Sequence, residues 1–161
     1  WVPRMTQPLV HTLVKDCMAT TLVTVGPYDT LARAWELMTT HHIRRLPVVA
    51  HGRLSAIITM SDVLALTLPD PARRATLAEV AAQLGQVTVG VVARSPATCV
   101  YDNDTLGHAA ELMLEHKIGG LPVVDAEQRL VGMLTESDLF RLMARQWRAD
   151  NEAFAGVARR D

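Results

Sequence analysis

The spacing of apolar and polar residues predicts an ordered set of helices and strands in the first half of the chain. Four apolar residues recur at the i, i+3, i+4 and i+7 positions of one helix face: Leu31, Ala34, Trp35 and Met38. This spacing indicates a helix with one face in the core. An apolar stretch at 22–25 precedes it, and Leu46–Val49 and Leu54–Thr59 favour extended backbone. With a second helix after Thr59, the predicted order is strand, helix, strand, strand, helix.

The same pattern returns in the second half of the chain. Residues 29–49 and 104–124 are related by a constant shift of 75, and 13 of these 21 positions are identical. The shift then becomes 76, because the turn around Ala126 is one residue longer than the turn at His51 and Gly52. A length change confined to a turn is compatible with a shared fold. We therefore expect two similar halves that face each other across an approximate two-fold axis, with related clefts between them.

Both helices of each repeat have sequence signals at their starts. The pair Asp-Thr, at 29–30 and again at 104–105, precedes the first helix. We expect its carboxylate to cap the helix by accepting hydrogen bonds from free backbone N–H groups. The motif Thr-x-Ser-Asp, at 59–62 and again at 135–138, leads into the second helix and suits a helix start in the same way.

The chain divides into four segments on these signals. They are a first motif at 12–66, a connector at 67–86, a second motif at 87–145 and a C-terminal helical extension or tail at 146–161. Within the connector, Arg73–Leu84 is predicted to form a short helix that ends at Gly85.

Length and composition are those of an ordinary globular protein. The chain has 161 residues, 49% of them hydrophobic and 20% charged, which is enough to bury a core. A net charge of −1 argues against nucleic-acid binding, which needs a basic face. The sequence contains neither a membrane-spanning apolar run nor a signal peptide, so we expect a cytoplasmic protein. Because residue 1 is Trp, we expect an expression product or a piece of a longer protein.

Catalytic and metal-binding patterns are not found in the sequence. Cys17 and Cys99 do not occupy corresponding positions in the two repeats, so we expect small buried residues in place of a disulfide or a zinc site. His41 and His42 are adjacent and would point about 100° apart on a helix, without metal-ligand spacing. Nucleophile and base patterns and a phosphate-binding glycine loop are also missing. We therefore predict a protein that is not an enzyme.

The order of these motifs resembles the cystathionine-β-synthase (CBS) domain, present as a tandem pair. Its two markers, the Leu-Pro-Val-Val strand and the Thr-x-Ser-Asp turn, both occur twice in register, and the resemblance covers 12–66 and 87–145. It implies an α/β (α+β) fold of two pseudo-symmetric motifs packed sheet to sheet. It also implies clefts that bind AMP, ADP, ATP or S-adenosylmethionine as regulatory ligands, with no required cofactor, in a homodimer that controls a partner protein or an attached domain without catalysis.

The acidic residues of the two Thr-x-Ser-Asp turns are the first candidate binding residues. The carboxylates of Asp62 and Asp138 can each accept both hydroxyl protons of a ribose. The hydroxyls beside them lie at a helix N-terminus, where free amides and the helix dipole favour phosphate; they belong to Thr59, Ser61, Thr135 and Ser137. The alternative for all six residues is helix capping, which is worth about 1 kcal/mol.

The two repeats differ just before the Leu-Pro pair. The first has Arg44 and Arg45 there, and the second has Gly119 and Gly120. The resemblance implies that these positions contact phosphates, and two guanidinium groups can bind a phosphate bidentately, whereas glycine cannot. We therefore expect the first site to prefer phosphorylated adenosine and the second to bind more weakly or to take a less charged ligand. The alternative is that both arginines are solvated surface charges.

Base recognition is implied by the resemblance at apolar positions. The candidates are Ile57 and Met133, with Ile43 and Ile118 across the cleft, and the alternative is that they are core residues. The function indicated is a regulatory module that senses adenosine nucleotides. Three alternatives stay open: a ligand-free dimerisation or docking module, an S-adenosylmethionine sensor, and the regulatory part of an enzyme or transporter whose main domain lies elsewhere.

Overall fold

The computed structural model describes residues 9–67 and 76–157 of the chain. Contacts between residues divide the described chain into two compact units. The repeat-1 unit comprises residues 21–67 and 76–98 together with the turn at 126–130. The repeat-2 unit comprises residues 9–20, 99–125 and 131–157.

The repeat-1 unit contains four helices and one hairpin. Its helices are α1 (Leu31–Thr40), α2 (Met60–Thr67), α3 (Leu77–Gln86) and α4 (Val89–Val92), and its strands are β1 (Arg45–Ala50) and β2 (Arg53–Thr59). The strands pair antiparallel with Arg45 opposite Thr59 and a bulge between Val48 and Val49. The opening strand predicted at 22–25 is reduced to a single parallel bridge between Val25 and Val48, because a turn begins at the next residue, Gly26.

The repeat-2 unit follows the predicted order in full. Two short 3-10 helices (Leu9–His11 and Val14–Asp16) come first, followed by the regular elements of the second repeat. These are β3 (Val100–Tyr101), α5 (Leu106–His116), β4 (Gly120–Val124), β5 (Leu130–Thr135) and α6 (Glu136–Val157). The three strands form one sheet in the order β3, β4, β5, and β3 runs parallel to β4.

Each unit has its own apolar core, and the predicted helix faces line both. On α1, Leu31, Ala34 and Met38 are buried, and Trp35 packs at the edge of the same core. The corresponding residues of α5 are Leu106, Ala109 and Met113, which are buried in the repeat-2 core. Each Leu-Pro-Val-Val strand contributes its leucine to the core of its own unit: Leu46 lies in the repeat-1 core and Leu121 in the repeat-2 core. The helical periodicity read from the sequence therefore identifies the buried faces.

The first residues of each motif, 12–20 in the first and 87–98 in the second, pack in the unit named after the other repeat. Val14 lies in the repeat-2 core, and Val89, which is 75 residues later, lies in the repeat-1 core. The two segments make matching backbone hydrogen bonds to the first helices. The N–H of Leu106 donates to the carbonyl of Thr12 at 2.8 Å, and the N–H of Leu31 donates to that of Val87 at 2.9 Å. Each compact unit therefore combines the helices and strands of one repeat with a segment from the other motif.

The helix caps differ from the sequence prediction in one respect. Threonine, not aspartate, caps both first helices: the Thr30 hydroxyl accepts from the N–H of Arg33, and the Thr105 hydroxyl accepts from that of His108, each at 3.2 Å. Asp29 instead accepts from the N–H of Gly26 at 2.7 Å, and Asp104 makes the equivalent bond in repeat 2. The prediction of a carboxylate cap at Asp29 and Asp104 was wrong, because these carboxylates close the preceding turn.

The connector helix lies further along the chain than predicted. It runs over Leu77–Gln86 and passes through Gly85, whereas the sequence predicted Arg73–Leu84. Thr76 caps it in a reciprocal arrangement in which the Thr76 hydroxyl accepts from the N–H of Glu79 and the Glu79 carboxylate accepts from the N–H of Thr76. Such a capping box fixes the helix start. Residues 73–75 of the predicted helix lie outside the described residues.

Candidate functional site

The junction of β2 and α2 holds Asp62 in one orientation. Thr59 ends β2, and both its hydroxyl and its backbone N–H donate to the same oxygen of Asp62, Oδ2, at 2.6 and 2.8 Å. The N–H of Asp62 donates back to the Thr59 hydroxyl at 3.3 Å. One carboxylate oxygen therefore belongs to the helix cap, and the other, Oδ1, points away from it. The capping role and a ligand-binding role concern different oxygens of the same side chain.

Arg94 engages that second oxygen, although it is 32 residues away in sequence. Its Nε and Nη2 both donate to Asp62 Oδ1, at 3.2 and 2.8 Å. An antiparallel bridge fixes its backbone, since the N–H of Arg94 donates to the carbonyl of Ile57 at 2.9 Å and the reverse bond is 3.1 Å long. The Asp62 side chain is 10% exposed and that of Arg94 is 66% exposed. Sequence reasoning missed Arg94, because Arg94 belongs to no motif. The signal that could have found it is a difference between the repeats: the position equivalent to Arg94, 75 residues earlier, is Ala19.

These contacts set the ionisation of Asp62. Burial on its own would raise the pKa of Asp62, but the hydrogen bonds from the Thr59 side chain and backbone, together with the hydrogen bond and positive charge of Arg94, outweigh it. The net effect holds the pKa of this carboxyl below its ordinary value of 3.8. The ionised form is thus favoured in the folded protein.

The lowered pKa predicts how stability depends on pH. A carboxylate whose folded pKa lies below its unfolded pKa stabilises the fold above the unfolded value, and this stabilisation is lost as the pH falls through the folded pKa. We expect the wild type to exceed Asp62→Asn in free energy of unfolding by a constant amount above about pH 5. The difference should shrink below pH 3.8. Urea denaturation across this range measures it, and a difference that persists unchanged to about pH 2 contradicts the assignment.

The junction of β5 and α6 repeats the cap but has a different partner. The hydroxyl and the N–H of Thr135 donate to Asp138 Oδ2 at 2.7 and 2.9 Å. Asp138 Oδ1 accepts from Nη1 of Arg141 at 2.9 Å, from the next turn of the same helix. The position of Arg94 is taken by Ala19, which forms the equivalent bridge with Met133. The two junctions therefore share their backbone geometry and differ in the cation that faces the carboxylate.

The two arginines before the first Leu-Pro pair lie beside the same junction. The carbonyl of Arg44 accepts from the N–H of Met60 at 2.8 Å, and Arg45 opens β1 opposite Thr59. The Arg44 side chain is exposed and that of Arg45 is half-buried. In repeat 2 the carbonyl of Gly119 accepts from the N–H of Glu136 at 3.2 Å. The structure thus brings the backbones of Arg44 and Arg45 to the start of α2.

The remaining candidates fall into two groups. Ile57 and Met133 are half-buried and occupy the bridging positions on β2 and β5. Ile43 and Ile118 pack against the cores of their units, which favours the core alternative for these two. Ser61 and Ser137 are exposed in the first turns of α2 and α6. Each residue of the bridging pair thus lies two positions before the threonine that ends its strand.

The described residues show neither a metal cluster nor a membrane span. Within 9–67 and 76–157, no group of three His, Cys, Asp or Glu side chains could hold a metal ion. Over the same part of the chain, no helix is both long and apolar enough to cross a bilayer. Cys17 and Cys99 are free and partly buried, and burial raises the pKa of both thiols.

Comparison with known families tests the assignment made from the motifs. The family profile described as CBS domain matches this chain twice, over residues 14–68 and 89–145. The chain belongs to the CBS domain family. The match includes both Thr-x-Ser-Asp turns and both Leu-Pro-Val-Val strands. The mixed helix and sheet fold with two CBS motifs is thereby confirmed.

Known CBS proteins share both sequence and fold with this chain. Uncharacterized protein MJ1225 of Methanocaldococcus jannaschii is 30% identical over 132 residues, which are 82% of this chain and 47% of that protein. Its crystal structure matches with a TM-score of 0.71 over 83% of this chain and 48% of that one. The chain thus spans about half the length of this relative.

Two CBS pairs of similar structure have been solved with adenosine compounds. CBSX2 from Arabidopsis thaliana is 30% identical and matches with a TM-score of 0.74, over 84% of this chain and 96% of that one. A second CBSX2 structure, with a TM-score of 0.69, is a complex with AMP. The CBS domain pair of MJ0100, solved with 5-methylthioadenosine and S-adenosyl-L-methionine, is 28% identical with a TM-score of 0.66, over 84% of this chain and 98% of that one. Adenosine is common to all three ligands.

Proposed function

We propose that this CBS pair is a regulatory module that binds adenine nucleotides at the two strand-to-helix junctions and passes the bound state to a partner protein or an attached domain. AMP, ADP or ATP is the proposed ligand. The AMP complex of CBSX2 supports this proposal. The second support is local: both junctions hold an aspartate whose orientation is fixed by its own helix cap.

The fixed orientation of Asp62 and Asp138 is the observation that carries the proposal. In each residue Oδ2 is bound by the preceding threonine, so the side chain cannot rotate freely and Oδ1 faces outward from the cap. A preoriented carboxylate oxygen is a strong acceptor for sugar hydroxyl groups, because hydrogen bonds to a charged group are about twice as strong as neutral ones. A ribose is thus the part of the ligand that these residues would hold.

The phosphate would bind at the start of α2 in the repeat-1 unit. Arg44 and Arg45 lie next to this start, Thr59 immediately precedes it, and Ser61 lies on its first turn. Repeat 2 offers Gly119 and Gly120 at the arginine positions, together with Thr135 and Ser137. We therefore propose that the repeat-1 site favours phosphorylated adenosine and that the repeat-2 site takes a less charged ligand. Ile57 and Met133 would contact the base, with Ile118 contributing from the core edge.

S-adenosylmethionine is the second candidate ligand. The MJ0100 pair was solved with this compound, and the less cationic repeat-2 junction is the place in this chain that suits a ligand without phosphate. Titration with both classes of ligand separates adenine nucleotides from S-adenosylmethionine, because the affinities of the two classes are compared at the same two carboxylates.

A docking function without any ligand is the alternative from another class. Phe140, Met143 and Trp147 are exposed on α6, and their i, i+3 and i+7 spacing places them on one helix face. Exposed apolar patches of this kind mark interaction surfaces. This face supports the expected homodimer, in which a second copy of the chain would cover it.

Titration with a panel of adenosine compounds tests the proposed function. We expect millimolar AMP, ADP or ATP to raise the thermal midpoint, because a ligand that binds only the native state must stabilise it. In calorimetry, Asp62→Ala and Asp138→Ala should each lower the affinity of one binding event by about tenfold or more, as expected for the loss of a hydrogen bond to a charged group.

A matched control separates ligand contacts from lost capping. Asp29→Ala and Asp104→Ala also remove a carboxylate that accepts a backbone N–H, but both lie outside the proposed sites, so binding should be unchanged. If AMP, ADP, ATP and S-adenosylmethionine all leave the midpoint where it was, the sensor function is wrong and the docking function stands.

A further inference from the structure

Both oxygens of the Asp62 carboxylate are already engaged within the chain. Oδ2 accepts two hydrogen bonds from Thr59, and Oδ1 accepts two from the guanidinium of Arg94. A carboxylate oxygen offers about two lone pairs for such bonds. A ribose hydroxyl can therefore reach Oδ1 only when Arg94 gives up at least one of its bonds.

We propose that Arg94 is a specificity-determining residue of the repeat-1 site. In the ligand-free protein its guanidinium group blocks Asp62. When a nucleotide binds, the guanidinium group releases Asp62 and pairs with the phosphate of the nucleotide. The site would in this way admit phosphorylated adenosine in preference to adenosine itself. This inference rests on the proposed function, because it assumes that Asp62 binds a ribose.

The geometry allows the Arg94 side chain to move while its backbone stays in place. The backbone is fixed by the two hydrogen bonds to Ile57, and the hydroxyl of the next residue, Ser95, donates to the carbonyl of Ser55 at 3.0 Å. The Arg94 side chain is 66% exposed, so its rotation needs no rearrangement of the core. Ion pairs with such an exposed partner are weak and exchange readily with water.

The exchange of partners explains why a phosphate would matter. Asp62 is only 10% exposed, and an ionised group in that position needs hydrogen-bond donors. A ribose diol supplies two O–H donors in place of the two N–H donors of Arg94. The released guanidinium pairs bidentately with a phosphate, whereas adenosine offers it no anion. Binding of adenosine therefore breaks an ion pair without replacing it, and binding of AMP replaces it.

The repeat-2 unit supplies an internal comparison. Ala19 forms the same backbone bridge with Met133 that Arg94 forms with Ile57, and alanine carries no charge. Asp138 Oδ1 accepts one hydrogen bond from Arg141, a residue of its own helix. The blocking cation therefore comes from the first residues of the second motif, and it faces the repeat-1 carboxylate alone.

Calorimetry with AMP and adenosine tests the role of Arg94. The measurements use the full chain with Asp138→Ala, so that only the repeat-1 site binds. Adding Arg94→Ala should strengthen adenosine binding by about twofold to fivefold, which is the upper part of the range for an ion pair with an exposed partner. AMP should bind no more tightly than before, so the ratio of the two affinities should fall. A gain in adenosine affinity is a result that a merely structural ion pair would not give.

Control variants complete the experiment. Arg53→Ala removes an exposed cation of the same unit and should leave the affinity ratio unchanged. Arg94→Gln, with folding checked by circular dichroism, serves if the alanine variant fails to fold. An unchanged ratio in a folded Arg94 variant overturns the inference and leaves the proposed function intact. If neither compound binds the wild type or the variants, both fail.

Discussion

Truncation of Leu46 or Leu121 to alanine is expected to lower the free energy of unfolding by about 2–5 kcal/mol. Both side chains are 0% exposed and lie at the same position of the two Leu-Pro-Val-Val strands. Leu46 belongs to the core that contains Leu31, and Leu121 to the core that contains Leu106. Each truncation removes apolar contacts and leaves a cavity that surrounding strands and helices cannot close. Urea denaturation followed by circular dichroism measures the change.

A surface leucine provides the matched control for this prediction. Leu114 lies on α5 and is 79% exposed, and alanine is at least as good a helix former as leucine. Leu114→Ala should therefore change the free energy of unfolding by no more than about 0.5 kcal/mol. Equal effects at Leu114 and Leu46 would contradict the assignment of the two cores.

The double variant Arg44→Ala/Arg45→Ala is expected to produce the largest change in ligand binding. Hydrogen bonds to charged groups contribute about 1.5–3 kcal/mol each, and about 1.4 kcal/mol corresponds to tenfold in affinity. Loss of two guanidinium groups should therefore weaken AMP binding to the repeat-1 site by about tenfold to a hundredfold or more. Adenosine has no phosphate to lose, so its affinity should stay within about twofold of wild type.

The control for the double variant is an arginine with a known partner elsewhere. Arg33 is exposed on α1 and pairs with Glu36 at 2.7 Å, and Arg33→Ala should affect neither ligand. Titrations with AMP and adenosine in the Asp138→Ala background decide the question. If the preference for AMP over adenosine survives the double substitution, Arg44 and Arg45 are surface charges and the proposed asymmetry of the two sites loses this support.

Arg44, Arg45 and Arg94 can be distinguished by the direction of their effects. The first two are proposed to bind phosphate only, so their removal weakens AMP and leaves adenosine alone. Arg94 is proposed to oppose adenosine as well, so its removal strengthens adenosine. Together the three arginines would make the repeat-1 site distinguish ligands with a phosphate from ligands without one. The repeat-2 site has glycines and Ala19 at the equivalent positions and would not make this distinction. A sensor with two unequal sites can report on two ligands.

The repeated pattern alone determined the fold and most of the candidate site. The helix faces headed by Leu31 and Leu106 were readable because a helix repeats every 3.6 residues, so its buried positions leave a local signature. The Thr-x-Ser-Asp turns located Asp62 and Asp138, since the cap that holds each carboxylate involves a residue only three positions away. Features formed by near neighbours in sequence are visible to sequence analysis.

Only the tertiary structure decided which cation faces Asp62. Arg94 reaches Asp62 because the first residues of the second motif pack in the repeat-1 unit, and a contact between residues this far apart leaves no periodic trace. The same holds for the threonine caps, where Asp29 and Thr30 carry equally suitable side chains and the closing of the preceding turn selects between them. The sequence determined which groups are present, and long-range packing determined which of them are paired, because pairing depends on positions in space that no local pattern records.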